Sequence, residues 1–377
     1  MFAEENLLKL NAEHAHSEGG SDLKEKKIPE KLQMWLPRFA CPECTGKLSL
    51  HPSLFVCESC SRRFPVRQGV PYLLPDTLVN MGAVAESDWQ QTQAELEETY
   101  IDLNGDSFRR KMLDAAKRKS ISDEVDSFLW EKRLFQNLKD PVFLKREEQF
   151  TKMLKERNRL ILLKLKGMCN LQGKTVLNIG PGTDTDLIDL LEGEGAEVMN
   201  CDLVEESLWY LAAHGKELLV IGGIRNLPFQ TATFDLVLAI DILHHVHPLG
   251  VPVKEARRVL KQGGTICISE LNKYNLLALM TKILPRFIRQ WQRKLLRKAL
   301  KISSRAALGS PYERILSRGE IEDVLKSEGF LDIDVSVMNY LNPVFPCLLV
   351  RAFDFMASHF SPIFSPTACR FFFAART

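Results

Sequence analysis

Thr175-Val-Leu-Asn-Ile-Gly-Pro-Gly-Thr-Asp-Thr-Asp186 decides how the rest of the chain is read. Thr175 to Ile179 is a short apolar run with the β-branched content of a buried parallel strand. It stops at Gly180 and Gly182, and a helical pattern follows from Asp184 to Leu191. A strand, a glycine turn and a helix let backbone approach a ligand closely, with helix amides facing it. The acid in the first helical turn suits the macrodipole.

Downstream the pattern alternates as in a doubly wound α/β sheet. Strands are expected at Ala196–Cys201, Leu218–Ile221, Phe234–Ile240, Thr265–Ser269 and Ile333–Val337, with a last one within Ala368–Ala375. Helices are expected at Phe143–Leu165, at Val253–Leu260 and in Ser317-Arg-Gly-Glu-Ile-Glu-Asp-Val-Leu-Lys-Ser-Glu-Gly-Phe330, which carries a cap, early acids and a closing glycine. Asp202, at the end of the second strand, lies 22 residues beyond Gly180. A carboxylate there can take both hydroxyls of a ribose. A dinucleotide fingerprint would want a third glycine where Thr185 stands.

Upstream, Cys41-Pro-Glu-Cys44 and Cys57-Glu-Ser-Cys60 are separated by twelve residues. Two such pairs in a unit too small for its own core indicate a closed, structural zinc held by Cys41, Cys44, Cys57 and Cys60. A redox pair or an iron–sulfur cluster fits two symmetric turns less well. The other five of nine cysteines are scattered, which reads as reduced, cytoplasmic use. A net charge of +2 gives no whole-protein field for nucleic acid. No uninterrupted apolar stretch is long enough to span a bilayer, and the first thirty residues lack the pattern of a signal peptide.

The cysteine unit, continuing as Arg63-Phe-Pro-Val-Arg-Gln-Gly-Val-Pro-Tyr-Leu-Leu74, resembles the zinc ribbons that accompany many methyltransferases. From about Arg146 onward the chain resembles class I S-adenosylmethionine-dependent methyltransferases of the ubiquinone/menaquinone type. The carrying blocks are VLNIGPGTD, Cys201-Asp-Leu203, IRNLPFQTATFDLVLAIDILHHV at 224–246 and EARRVLKQGGTICISE at 255–270. The implied fold is a Rossmann-like doubly wound seven-stranded sheet, preceded by a small zinc ribbon and a helical connector. The implied domains are a mobile tail (1–37), the ribbon (38–76), a helical connector or lid (77–145) and the methyltransferase domain (146–377).

The resemblance implies that Asn178, Gly180, Pro181 and Gly182 approach the methionine part of S-adenosyl-L-methionine. Asp202 would bind its ribose, Leu203 and Ile224 would sandwich adenine, and Ile240 and Asp241 would line the site. Three residues depart from the family pattern. Asn178 replaces an acid, Asp184 replaces the last glycine of the loop, and Gly223 replaces the acid that meets adenine. These departures motivate a rival reading, a methyltransferase-like scaffold that binds partners without catalysis.

Methyl transfer is an in-line displacement in which positioning supplies much of the rate, and a hydroxyl acceptor also needs a base. His244 and His245 are the candidates, although packing under the loop and capping a turn would account for both. A metal site with His247 lacks a matching carboxylate pair. The insertion at about 271–312 contains no acid from Leu271 to Tyr312 and is basic and amphipathic over 282–305. It reads as a lid, with peripheral contact to an anionic bilayer or to RNA phosphates as alternatives. The apolar run Val344–Val350 leans toward a hydrophobic small-molecule or lipid-like acceptor.

Overall fold

The computed structural model describes residues 28–52, 54–75, 141–246, 248–275, 316–339, 354–357, 359 and 365–377, with backbone alone for 141–153. His247, most of the connector, the basic face at 282–305 and the apolar run 344–350 lie outside them.

The chain opens with a short helix, α1 (Glu30–Met34), and a 3-10 turn, Leu36–Arg38. Four antiparallel strands follow: β1 (Leu48–His51), β2 (Leu54–Cys57), β3 (Arg63–Arg67) and β4 (Val70–Pro71). The mobile tail was expected to reach residue 37. Its end instead forms α1 and buries Leu32 and Trp35, two apolar side chains that a charged neighbourhood hid in the sequence.

The long helix α2 (Pro141–Met168) precedes β5 (Thr175–Ile179), α3 (Thr185–Gly193), β6 (Glu197–Asp202), α4 (Glu205–Ala213) and β7 (Leu219–Ile221). Then come β8 (Phe234–Ile240), α5 (Gly250–Val259), β9 (Leu260–Leu271), α6 (Arg318–Ser327), β10 (Leu331–Asn339) and β11 (Arg370–Arg376). A seven-stranded sheet has the order β10-β11-β9-β8-β5-β6-β7. β5, β8 and β9 pair in parallel, as do β6 and β7, whereas β11 runs antiparallel to both its neighbours. This is the expected α/β sheet of a class I methyltransferase, with strand boundaries shifted by a few residues from the sequence reading.

The described residues fall into two compact units. One comprises 28–52, 54–75, 181–185 and 199–230, and the other holds the remaining described segments. In the first, β4 runs on into Tyr72, which bridges in parallel to Ile221 of β7, and the Leu73 amide donates to the Ile221 carbonyl at 2.9 Å. Phe39, fully buried, stacks on Phe229 at 5.7 Å and meets Phe55 edge-on at 5.8 Å. Backbone bonds from Ala40 to Pro228 and from Gln230 to Arg38 fasten the same contact. The cysteine-bearing sheet therefore shares a core with β7 and the loop after it.

In the second unit, all five residues of β5 are buried. Asp235, near the start of β8, accepts from the Thr175 amide and hydroxyl at 3.0 and 2.8 Å and from Lys261 at 2.8 Å. One carboxylate thus ties the beginnings of β5 and β8 to β9. Burial alone would raise its pKa, but the Lys261 and Thr175 bonds outweigh that and hold it well below the usual carboxylate range. The Ser317–Glu320 capping box starts α6 where the sequence placed it.

Candidate functional site

The four cysteine sulfurs lie within 4.8 Å of one another. Cys41 and Cys60 are 3.7 Å apart, and Cys44 and Cys57 are 3.5 Å apart. Sulfurs bound to one tetrahedral zinc at ordinary Zn–S lengths would be separated by about 3.8 Å. The two turns are built alike. The Thr45 amide bonds the Cys41 carbonyl and the Ser61 amide bonds that of Cys57, and Thr45 and Ser61 both take a positive φ. Gly46 is required by space, because a Cβ there would lie 2.5 Å from the Ser59 hydroxyl. The donor set fits a structural zinc. Four thiolates would close its shell, so its role would be to hold the fold.

At the glycine turn, Gly180 has φ +64°, and a Cβ on it would lie 2.6 Å from the Ile242 side chain. Asn178 is buried in β5, in register with Leu238 of β8. Pro181 and Gly182, with φ +54°, belong to the first unit. There the Gly182 amide donates to Asp202 Oδ2 at 3.1 Å, and the Val204 amide donates to Asp202 Oδ1 at 2.9 Å. Both oxygens of Asp202, the last residue of β6, are thus aimed by backbone. A carboxylate retains lone pairs for further donors such as sugar hydroxyls. Leu203 is half-buried and Ile224 is buried in the same unit.

In the second unit, Ile240 is buried at the end of β8, and Asp241 follows at φ +54°. Asp241 takes Arg157 on Oδ2 at 2.8 Å and Arg370 on Oδ1, while Arg370 also donates to the Ser269 hydroxyl. Burial would raise the Asp241 pKa, but the Arg370 and Arg157 guanidinium groups hold it down at about 2. Its carboxylate therefore anchors β8 to α2 and β11. Next to Arg157, buried Asn158 donates to Asp186 in the first turn of α3 at 3.1 Å.

His244 and His245 sit in a 3-10 turn with their rings 4.0 Å apart. His244 Nδ1 is 2.8 Å from Glu270 Oε2, and the Leu243 amide donates to Glu270 Oε1 at 2.8 Å. Glu270 is buried near the end of β9. A histidine oriented by a buried carboxylate is a usual arrangement for a general base. With Nδ1–H donating to Glu270, Nε2 is the basic nitrogen.

Sequence reasoning missed Glu270, Arg157, Asn158 and Arg370. Glu270 had a visible signal: like Asp202 and Asp241, it is an acid at the end of an apolar strand. Arg157 had none, since it stands among many other charges; Arg370 had one, being the single Asp, Glu, Lys or Arg between Asp354 and Arg376 in an apolar stretch.

A sheet with an antiparallel β11 between β9 and β10, a glycine turn after β5 and an anchored acid ending β6 defines the class I methyltransferase fold. Residues 177–268 match the family described as Methyltransferase domain. The ubiquinone biosynthesis O-methyltransferase of Bordetella avium is 32% identical over 110 residues, covering 28% of this chain and 45% of that protein. Its counterpart in an Azoarcus species is 34% identical over 128 residues, covering 32% and 54%. The chain thus spans about half the length of these curated relatives. A solved S-adenosylmethionine-dependent methyltransferase from Archaeoglobus fulgidus aligns with 63% of this chain and all of its own, at 17% identity and TM-score 0.40.

Proposed function

We propose that the protein transfers the methyl group of S-adenosyl-L-methionine to a hydroxyl of an apolar small molecule. The observation that carries this reading is the 2.8 Å His244–Glu270 pair. An amine or carbon acceptor need not have a base, whereas a hydroxyl gains reactivity as its proton leaves. In this reading Asp202 takes the ribose hydroxyls, and His244 Nε2 receives the acceptor's proton as the methyl–oxygen bond forms and the methyl–sulfur bond breaks. Glu270 holds the imidazole in the required tautomer. The similarity to ubiquinone biosynthesis O-methyltransferases supports an oxygen acceptor.

The test is transfer of labelled methyl from S-adenosyl-L-methionine to matched acceptors: an alkylated catechol, the corresponding aniline and bulk RNA. Label is expected on the catechol oxygen. His244→Ala should lower kcat/KM at least about a hundredfold, the usual contribution of a positioned base. Label on the aniline or RNA alone, or catechol methylation indifferent to His244→Ala, would overturn the hydroxyl assignment.

A further inference from the structure

Tyr72 and Glu205 are 133 residues apart in sequence, yet the Tyr72 hydroxyl donates to Glu205 Oε2 at 2.6 Å. Both residues are buried. Tyr72 stands at the end of the cysteine-bearing sheet, held by its bridge to Ile221. Glu205 is the first residue of α4, directly after Val204, whose amide fixes Asp202 Oδ1. Asp202 Oδ2 in turn holds the Gly182 amide of the glycine turn. All of these residues belong to one compact unit.

We propose that Tyr72 is a positioning residue: through Glu205 it fixes the turn that aims the ribose-binding carboxylate of Asp202 and the Gly182 amide. Chemistry favours this over plain packing. A buried carboxylate needs donors, and a hydrogen bond to a charged group contributes more than a neutral one. The bond enters the first turn of α4, one residue from an amide that orients Asp202. The ribbon therefore carries a cofactor-site function of its own, which explains why a closed zinc unit is built into a methyltransferase chain. The proposal rests on the reading that Asp202 binds the ribose.

Tyr72→Phe removes only the hydroxyl. Calorimetric titration with S-adenosylhomocysteine, well below the melting temperature of every variant, is expected to show about tenfold weaker binding, the scale of one such bond. Glu205→Gln retains an acceptor oxygen and should weaken binding less than Glu205→Ala. Hydrogen exchange of the Gly182 and Val204 amides should accelerate in Tyr72→Phe without ligand. Unchanged affinity and unchanged exchange at these amides, with only a lowered melting temperature, would reduce Tyr72 to packing and overturn the proposal. If the wild type binds no S-adenosylhomocysteine, the ribose reading fails, and the exchange data alone then decide whether Tyr72 fixes the turn.

Discussion

Asp241 holds two guanidinium groups, and its backbone lies in a region that L-residues seldom occupy. Asp241→Asn leaves the largely covered guanidinium groups of Arg157 and Arg370 without their counter-charge, so it should destabilise the fold by about 2 kcal/mol in urea denaturation at neutral pH. The group's folded pKa lies below its unfolded value. Its stabilisation is therefore complete above the unfolded value of about 4 and is lost as pH falls toward about 2. The wild type should lose roughly 2 kcal/mol from this residue across that window, and the variant should show a flatter profile. Equal stability of the two proteins at neutral pH would refute the anchoring role. The sequence made Asp241 visible as a residue at the end of a strand. It could not show that the carboxylate is occupied, because Arg157 and Arg370 are 84 and 129 residues away. Glu270 was visible in the same way, as an acid at a strand end, but its role was not, since that depends on a histidine that lies 26 residues earlier.

At the scale of elements, the strand pattern was legible because burial on both faces leaves near-continuous apolar runs such as Thr175–Ile179 and Phe234–Ile240. The clustering of the four cysteines was legible because four thiolates around one ion would constrain spacing so tightly. The joint between β4 and β7 was not, since Val-Pro-Tyr-Leu reads equally well as the end of a small domain. Its consequence is thermodynamic coupling: metal that binds only the folded ribbon stabilises whatever folds with it. Chelation of zinc is expected to lower the melting temperature and to raise the exchange of β7 amides, whereas an independent ribbon would leave β7 unchanged. Gly46→Ala should act in the same direction, because its Cβ meets Ser59 and the Cys57 sulfur.

For the whole molecule, a methyltransferase sheet and a four-cysteine unit account for most of the described residues. No helix among them is long and apolar enough to cross a membrane. Asn178, Asp184 and Gly223 depart from the family pattern, yet the two backbone bonds to Asp202 are in place. On the reading proposed above, that arrangement serves a working cofactor site, whereas an inert scaffold would bind no S-adenosyl-L-methionine. The most direct measurement is calorimetric titration of the full chain with S-adenosyl-L-methionine, alongside Asp202→Ala. The wild type is expected to bind one equivalent, and Asp202→Ala to bind at least about tenfold more weakly as the ribose bonds are lost. No heat of binding from the folded wild type, or equal affinity in Asp202→Ala, would contradict the account.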